Sequence, residues 1–267
     1  MIEPVLGAVE HSFEERRPVP ALRGLVTATW TQRTGTRPHR HRHIPNGSIE
    51  LRCRSGAPAQ LAGPLTGPVV EVLPPHTSVF GVRFAPGAAS TVLGLPAAEL
   101  TDTVVDVAEI WGQSSTVDGD PQQMVLHRLR SAERADPVAA GIVRLLWAER
   151  SSLPLSERHF RRRCQATTGL APKALQRVLR FQVFLAEVQS ALARGRRPGG
   201  LAALAAASGY ADQAHLTREC ARLTGITPRE FLRETERQCG CGHEHEASFS
   251  PLLEMADFIK RRHPGDA

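Results

Sequence analysis

The sequence predicts an α+β chain: a small, mainly β mixed N-terminal domain followed by an all-α domain built from two helix-turn-helix motifs. Three observations carry that prediction. Residues 159–175 recur 56 positions later as residues 215–231, aligning His159 with His215, Arg162 with Arg218, Cys164 with Cys220, Thr168 with Thr224, Gly169 with Gly225 and Pro172 with Pro228. A unit repeated at this spacing is one supersecondary structure used twice. Residues 1–120 are rich in Pro, Gly and β-formers instead, and show no such repeat. Charge divides along the same line: residues 143–238 hold 17 basic and 8 acidic side chains, whereas residues 1–120 hold 10 and 12. The expected division is 1–120, a helical linker at 121–142, the helical domain at 143–238 and a tail at 239–267.

In the first part, strand-like runs occur at 25–32, 48–54 and 78–84, with Pro45, Asn46 and Gly47 forming a turn into the second. After Pro86 and Gly87 the pattern turns helical through Leu95, then Pro96 opens a loop to Trp111, and a helix is expected over 122–134. His39, His41 and His43 alternate, so an extended strand would present all three imidazoles on one face, as a transition-metal site needs. Interleaved Arg37, Arg40 and Arg42 with Pro38 favour a basic loop over that metal site. Arg83 lies in an apolar strand, where an ion pair with a neighbouring carboxylate is the better expectation than contact with an acidic effector.

In the second part, an apolar helix over 142–148 and a turn at 151–154 lead to Ser156, the N-cap of a helix starting at Glu157. Arg158, Arg161 and Arg162 share one face of that helix, and Phe160 points inward. A connecting helix follows over 173–194, with Leu175, Val178, Leu179, Leu185, Val188 and Leu192 near a 3.6-residue period. Gly195, Pro198, Gly199 and Gly200 break it. The Ala-rich helix from Leu201 stops at Gly209, and Asp212 caps the next one. There Gln213, Thr217 and Arg218 face outward, Ala214 and Leu216 flank the packing side, and His215 is equally a contact or a plain surface histidine.

A basic segment bounded by mildly acidic ones fits nucleic acid, because neutralising phosphates releases counterions. Arg pairs bidentately with guanine and Gln with adenine in the major groove, which suits Arg158, Arg161, Arg162, Gln213 and Arg218. Arg163 and Arg222 are better placed for phosphate. A connecting helix would hold two readers about one turn of duplex apart, giving a bipartite site.

At this point residues 143–237 resemble the DNA-binding region of AraC/XylS-family transcription regulators, which carries two helix-turn-helix motifs joined by a linking helix. The resemblance rests on Leu204-Ala205, Gly209-Tyr210, Leu216-Thr217-Arg218 and Gly225-Ile226-Thr227-Pro228-Arg229-Glu230-Phe231. Cys164 and Cys220 depart from the family, which usually has Phe there, and imply looser packing; the turn at 151–154 departs as well. Pro45-Asn46-Gly47, the 81–87 stretch and Trp111-Gly112 resemble uncharacterised sensor-like domains found ahead of such regions. That implies effector binding or dimerisation. The partners expected are duplex DNA, an unidentified small-molecule effector, RNA polymerase and a second copy of the chain.

The tail places Cys239, Cys241, His243 and His245 within seven residues, a donor set suited to zinc or copper(I), although its spacing is tighter than ordinary structural zinc sites use. A metal-responsive regulator built on that cluster is one alternative function. A metal-dependent enzyme using His39, His41 and His43 is another, but no phosphate-binding loop, Gly-x-Ser-x-Gly elbow or His-Glu-x-x-His helix accompanies it, so no catalytic residues are assigned. Five cysteines, odd in number and mostly scattered, argue for reduced thiols and a cytoplasmic location rather than a disulfide framework. No run of 18 apolar residues is present to span a membrane.

Overall fold

The computed structural model describes residues 11–112, 121–131, 141–142, 146, 156–196 and 198–238. The N-terminal part is built on eight strands among these residues: β1 (His11–Arg16), β2 (Val26–Thr34), β3 (His39–His43), β4 (Glu50–Arg54), β5 (Gln60–Ala62), β6 (Val69–Leu73), β7 (Ser78–Phe84) and β8 (Val104–Asp106). Six form an antiparallel sheet in the order β1-β2-β7-β4-β5-β8, and β3 pairs with β6 in a separate ribbon. Short helices α1 (Ala89–Leu93) and α2 (Val107–Trp111), a 3₁₀ turn (Ala97–Leu100) and helix α3 (Pro121–Ser131) complete this part.

Strand alternation separates two faces of the large sheet. Leu51, Cys53, Leu61 and Val82 point to one, where they bury against Val92, Leu93, Leu100, Val107 and Val125 of the helical cover. The opposite face carries Trp30, Gln32, Val79, Glu50, Arg52 and Arg83, and the β3–β6 ribbon lies over it through Leu73. Trp30 stands directly across from Gly81; a Cβ there would lie 2.0 Å from the indole, so only glycine fits.

Several expectations are corrected here. The segment 39–43 is a strand, not a loop: each residue pairs with β6, from His39 with Leu73 to His43 with Val69. The 96–111 stretch is not a loop either, since Pro96 opens a 3₁₀ turn, β8 extends the large sheet beside β5 and Asp106 precedes α2. Helix α3 does not stand between two bodies. Its Val125 is fully buried in the β-sheet core, and Gln122 accepts a hydrogen bond from the Val19 amide at 3.0 Å.

The second part has its own core. Helices α4 (Glu157–Thr168), α5 (Pro172–Ala193), α6 (Leu201–Ala207), α7 (Gln213–Thr224) and α8 (Pro228–Gln238) bury Phe160, Leu175, Phe181, Phe184, Leu216 and Phe231 together with Ile142 and Leu146. At 1.5 Å per residue, α5 is a rod about 33 Å long. Phe181 and Val183 are buried on it as well as the expected Leu175, Val178, Leu179 and Val188, while Leu185 and Leu192 are only half-buried. The covered surface is wider than one stripe: helices of both motifs pack along the rod, and the β part meets it at Leu175, Val178 and Gln182.

Candidate nucleic-acid interface

Both recognition helices are built the same way. Ser156 caps α4, accepting from the His159 amide at 3.3 Å, and Asp212 caps α7, accepting from the His215 amide at 2.6 Å. Both end on a left-handed glycine, Gly169 and Gly225, each with φ +75°. Just inside each end the cysteine is fully buried. Cys164 Sγ lies 3.4 Å from the Leu170 carbonyl and Cys220 Sγ 3.7 Å from that of Ile226. Thr168 and Thr224 donate back to the cysteine carbonyls at 2.7 and 2.8 Å and accept from the Leu170 and Ile226 amides. Thiol and hydroxyl close the same turn in both copies. Burial pushes both thiols up to about 11, so they stay protonated and unreactive.

Arg158, Arg161 and Arg162 are exposed together on α4, with Phe160 buried behind them. On α7, Gln213, Arg218 and Arg222 are exposed. Arg163 is half-buried. Thr217 is half-buried too, and its hydroxyl donates to the Gln213 carbonyl at 2.8 Å. His215 sits edge-on to the Tyr210 ring, 5.2 Å between centroids, so part of its surface is spent on packing. Ala214, expected on the packing side, is exposed: it belongs to the first turn, where α7 projects beyond its contacts. Arg177 of α5 meets Glu219 of α7 at 2.6 Å, and the Arg180 guanidinium lies 5.8 Å from the Tyr210 ring centre, tying the rod to the second motif.

The β part touches this assembly at points that sequence patterning gave no sign of. Arg42 donates to the Thr224 carbonyl at 2.9 Å, Thr101 to the Gly169 carbonyl at 2.9 Å, and Gln182 of α5 to the Pro45 carbonyl at 2.8 Å. The Pro45-Asn46-Gly47 turn itself was legible in the sequence, but its contact with α5 was not. Asn46 Oδ1 accepts from the Ser48 amide at 2.9 Å, and Gly47, at φ +74°, rests against Leu175 and Val178.

Within the β part, the three histidines do share a face. His39 and His41 have ring centres 6.2 Å apart and His41 and His43 4.4 Å, and His11 stacks on His39 at 3.6 Å. Protein groups take up nitrogens of His11, His41 and His43, whereas the buried His39 Nε2 has no hydrogen-bond partner among the described residues. Gln32 Nε2 lies 3.1 Å from both His11 Nε2 and His41 Nδ1, and His43 bridges Arg52 at 3.2 Å and Glu71 at 3.0 Å. Among the described residues no group of three or more His, Cys, Asp or Glu is placed to hold a metal ion. Burial, then the neighbouring His43, His39 and Arg52, pushes His41 down to about 3. Arg83 forms the expected ion pair, twice: with Glu15 at 2.6 Å and Glu50 at 2.8 Å. Burial opposes charge on Glu50, yet Arg83 and Arg52 hold its carboxyl far below the usual range. The tail candidates Cys239, Cys241, His243 and His245, and the turn at 151–154, lie outside the described residues.

Comparison with known proteins agrees with this geometry. Residues 151–234 match the family described as "Helix-turn-helix domain", and residues 14–106 match a "Domain of unknown function (DUF6597)". No curated protein matches the chain. Among solved structures, ToxT from Vibrio cholerae is 7% identical with TM-score 0.39, over 84% of this chain and 97% of that one. An apo variant of ToxT from the same organism is 12% identical with TM-score 0.35, over 84% and 96%. Both scores are below 0.5, so the fold stands on the geometry above. Two capped recognition helices on one rod define a DNA-binding transcription regulator. Residues 151–234 carry a helix-turn-helix domain of the AraC type.

Proposed function

We propose that the chain reads a bipartite duplex site, one half-element per recognition helix, and that the β part receives the signal that governs this reading. Arg158, Arg161 and Arg162 on α4 and Gln213 and Arg218 on α7 contact base edges in successive major grooves; Arg163 and Arg222 contact phosphate. His215 and Thr217 serve mainly to shape α7, given that one packs on Tyr210 and the other is bonded to the backbone. The observation that carries this reading is the paired one: two helices with the same caps and the same terminal turn expose polar, Arg-bearing faces from a common rod. The signal is an effector bound by the β part or its pairing with a second copy.

The test is selection of bound duplexes by the full chain, with the double variant Arg158→Ala/Arg218→Ala in parallel. A bipartite motif with half-elements about one turn, or 10 base pairs, apart, lost in the variant, supports the reading. Sequence-blind binding by the unaltered chain refutes it.

A further inference from the structure

The β part grips the helical part at the two places that the internal repeat makes equivalent. Gly169 and Gly225 end the two recognition helices. A Cβ on Gly169 would lie 2.5 Å from Pro64 and 2.8 Å from the Thr101 hydroxyl; one on Gly225 would lie 3.5 Å from Pro68 and 3.7 Å from Arg42. One short stretch, residues 64–68, thus runs from the end of the first reader to the end of the second, with a proline seated on each. Its neighbours supply the polar contacts. Thr101 donates to the Gly169 carbonyl and Arg42 to the Thr224 carbonyl, both at 2.9 Å, and Arg42 also pairs with Glu234 of α8 at 3.5 Å. A guanidinium at a helix C-terminus also meets the negative end of the dipole.

The stretch is braced from within the β part. Asp102 accepts from the Thr66 amide at 2.7 Å and from its hydroxyl at 2.6 Å, and its own amide donates to the Pro64 carbonyl at 3.1 Å. Asp102 does so at φ +57°, a backbone state that non-glycine residues seldom adopt and that surrounding contacts must hold. A third grip, Gln182 on the Pro45 carbonyl, fixes the rod between the readers. By contrast, the covalent joint from α5 to the second motif contains Gly195, Gly199 and Gly200, and side chains at Gly195 and Gly200 would meet nothing within 4 Å. All three grips leave the exposed faces with Arg158, Arg161, Gln213 and Arg218 uncovered, so they do not compete with DNA.

We infer that residues 64–68, with Arg42 and Thr101, form a clamp that holds the two recognition helices at one mutual position, and that the β part thereby sets the spacing accepted between the half-elements. The inference rests on the bipartite reading proposed above. Arg42 and Thr101 are positioning residues: they act on DNA only through the helices they hold.

The experiment uses the full chain and duplexes carrying its selected site with the half-element spacing unchanged, lengthened by one base pair or shortened by one. The unaltered chain should lose at least about tenfold in affinity at either altered spacing, because one reader then forfeits a base contact of that strength. In Arg42→Met/Thr101→Val, which keeps bulk and removes both grips, that penalty should shrink to about threefold or less. Binding to a duplex with a single half-element should be unchanged. Thr66→Ala/Asp102→Ala, which loosens the stretch without touching a helix, should relax spacing in the same way. Circular dichroism on each variant selects which pair is compared. If neither folded variant changes the spacing penalty, or if single half-element binding falls equally, the clamp is wrong while the bipartite reading stands. If the unaltered chain selects no bipartite site, both fall together.

Discussion

Single side chains in this protein act through what they leave unpaired when removed. Arg83 lies between Glu15 and Glu50, both buried; Arg83→Ala takes the ion-pair partner from Glu15, while Glu50 keeps Arg52, and should lower unfolding free energy by about 3–5 kcal/mol, measured by urea denaturation. Arg218 is the opposite case: exposed, with no such partner to strand, it should be neutral for stability. Arg218→Ala should instead weaken specific binding by about 1–3 kcal/mol and relax one base position, read by titrating singly substituted sites; unchanged specificity there would remove Arg218 from the reading face. His41 gives a pH signature. It faces Gln32 of β2, His39 and His43 on its own strand, and Glu50 and Arg52 of β4. Its folded value of about 3 lies below the ordinary 6.5, so the unfolded chain binds the extra proton between them. Stability from this group is complete above pH 6.5 and is lost as pH falls towards 3, with a slope of at most about 1.4 kcal/mol per pH unit. Equilibrium unfolding should show that fall, and His41→Gln should flatten it between pH 6 and 4. Glu50 and Glu71, both held below the usual carboxylate range, add a fall of the same sign at lower pH.

At the scale of elements, the repeated helix ends are alike in backbone and unlike in surroundings. Gly169 and Gly225 share φ +75°, which costs any L side chain about 1 kcal/mol. Gly169→Ala adds a collision with Pro64 and Thr101, whereas Gly225→Ala meets only ordinary contacts. The first should therefore be the more destabilising of the two in thermal melts; equal effects would mean that the β part does not press on α4. Much of this level was legible from the chain. Ser156, Asp212, Gly169 and Gly225 are local signals, because a cap is satisfied by residues within one turn of it. The edges of α5 and the run of β7 follow from period and punctuation for the same reason. Strand β3 was not legible: His, Arg, His, Arg, His carries no apolar alternation, and what makes it a strand is pairing with Val69–Leu73, a segment 30 residues away. Strand β8 is three residues long and exists because β5 offers it an edge.

For the whole molecule, reading DNA through Arg-bearing faces should make affinity fall steeply with salt, by about 0.9 log units per log unit of salt for each phosphate neutralised. A flat dependence in fluorescence anisotropy would contradict the electrostatic part of the proposal. The sequence alone determined the class. The 56-residue repeat, its caps and its segregated positive charge identify two helix-turn-helix units on one rod, since each signal is local or compositional and survives without knowledge of neighbours. It likewise identified the exposed Arg and Gln on those helices, because helical geometry converts spacing directly into a face. Only the tertiary structure decided how the β part meets them. Arg42 and Thr224 are 182 residues apart, Thr101 and Gly169 are 68 apart, and nothing in either segment announces its partner. Contacts of that kind depend on where two separately formed cores come to rest against each other, which no pattern within either core encodes.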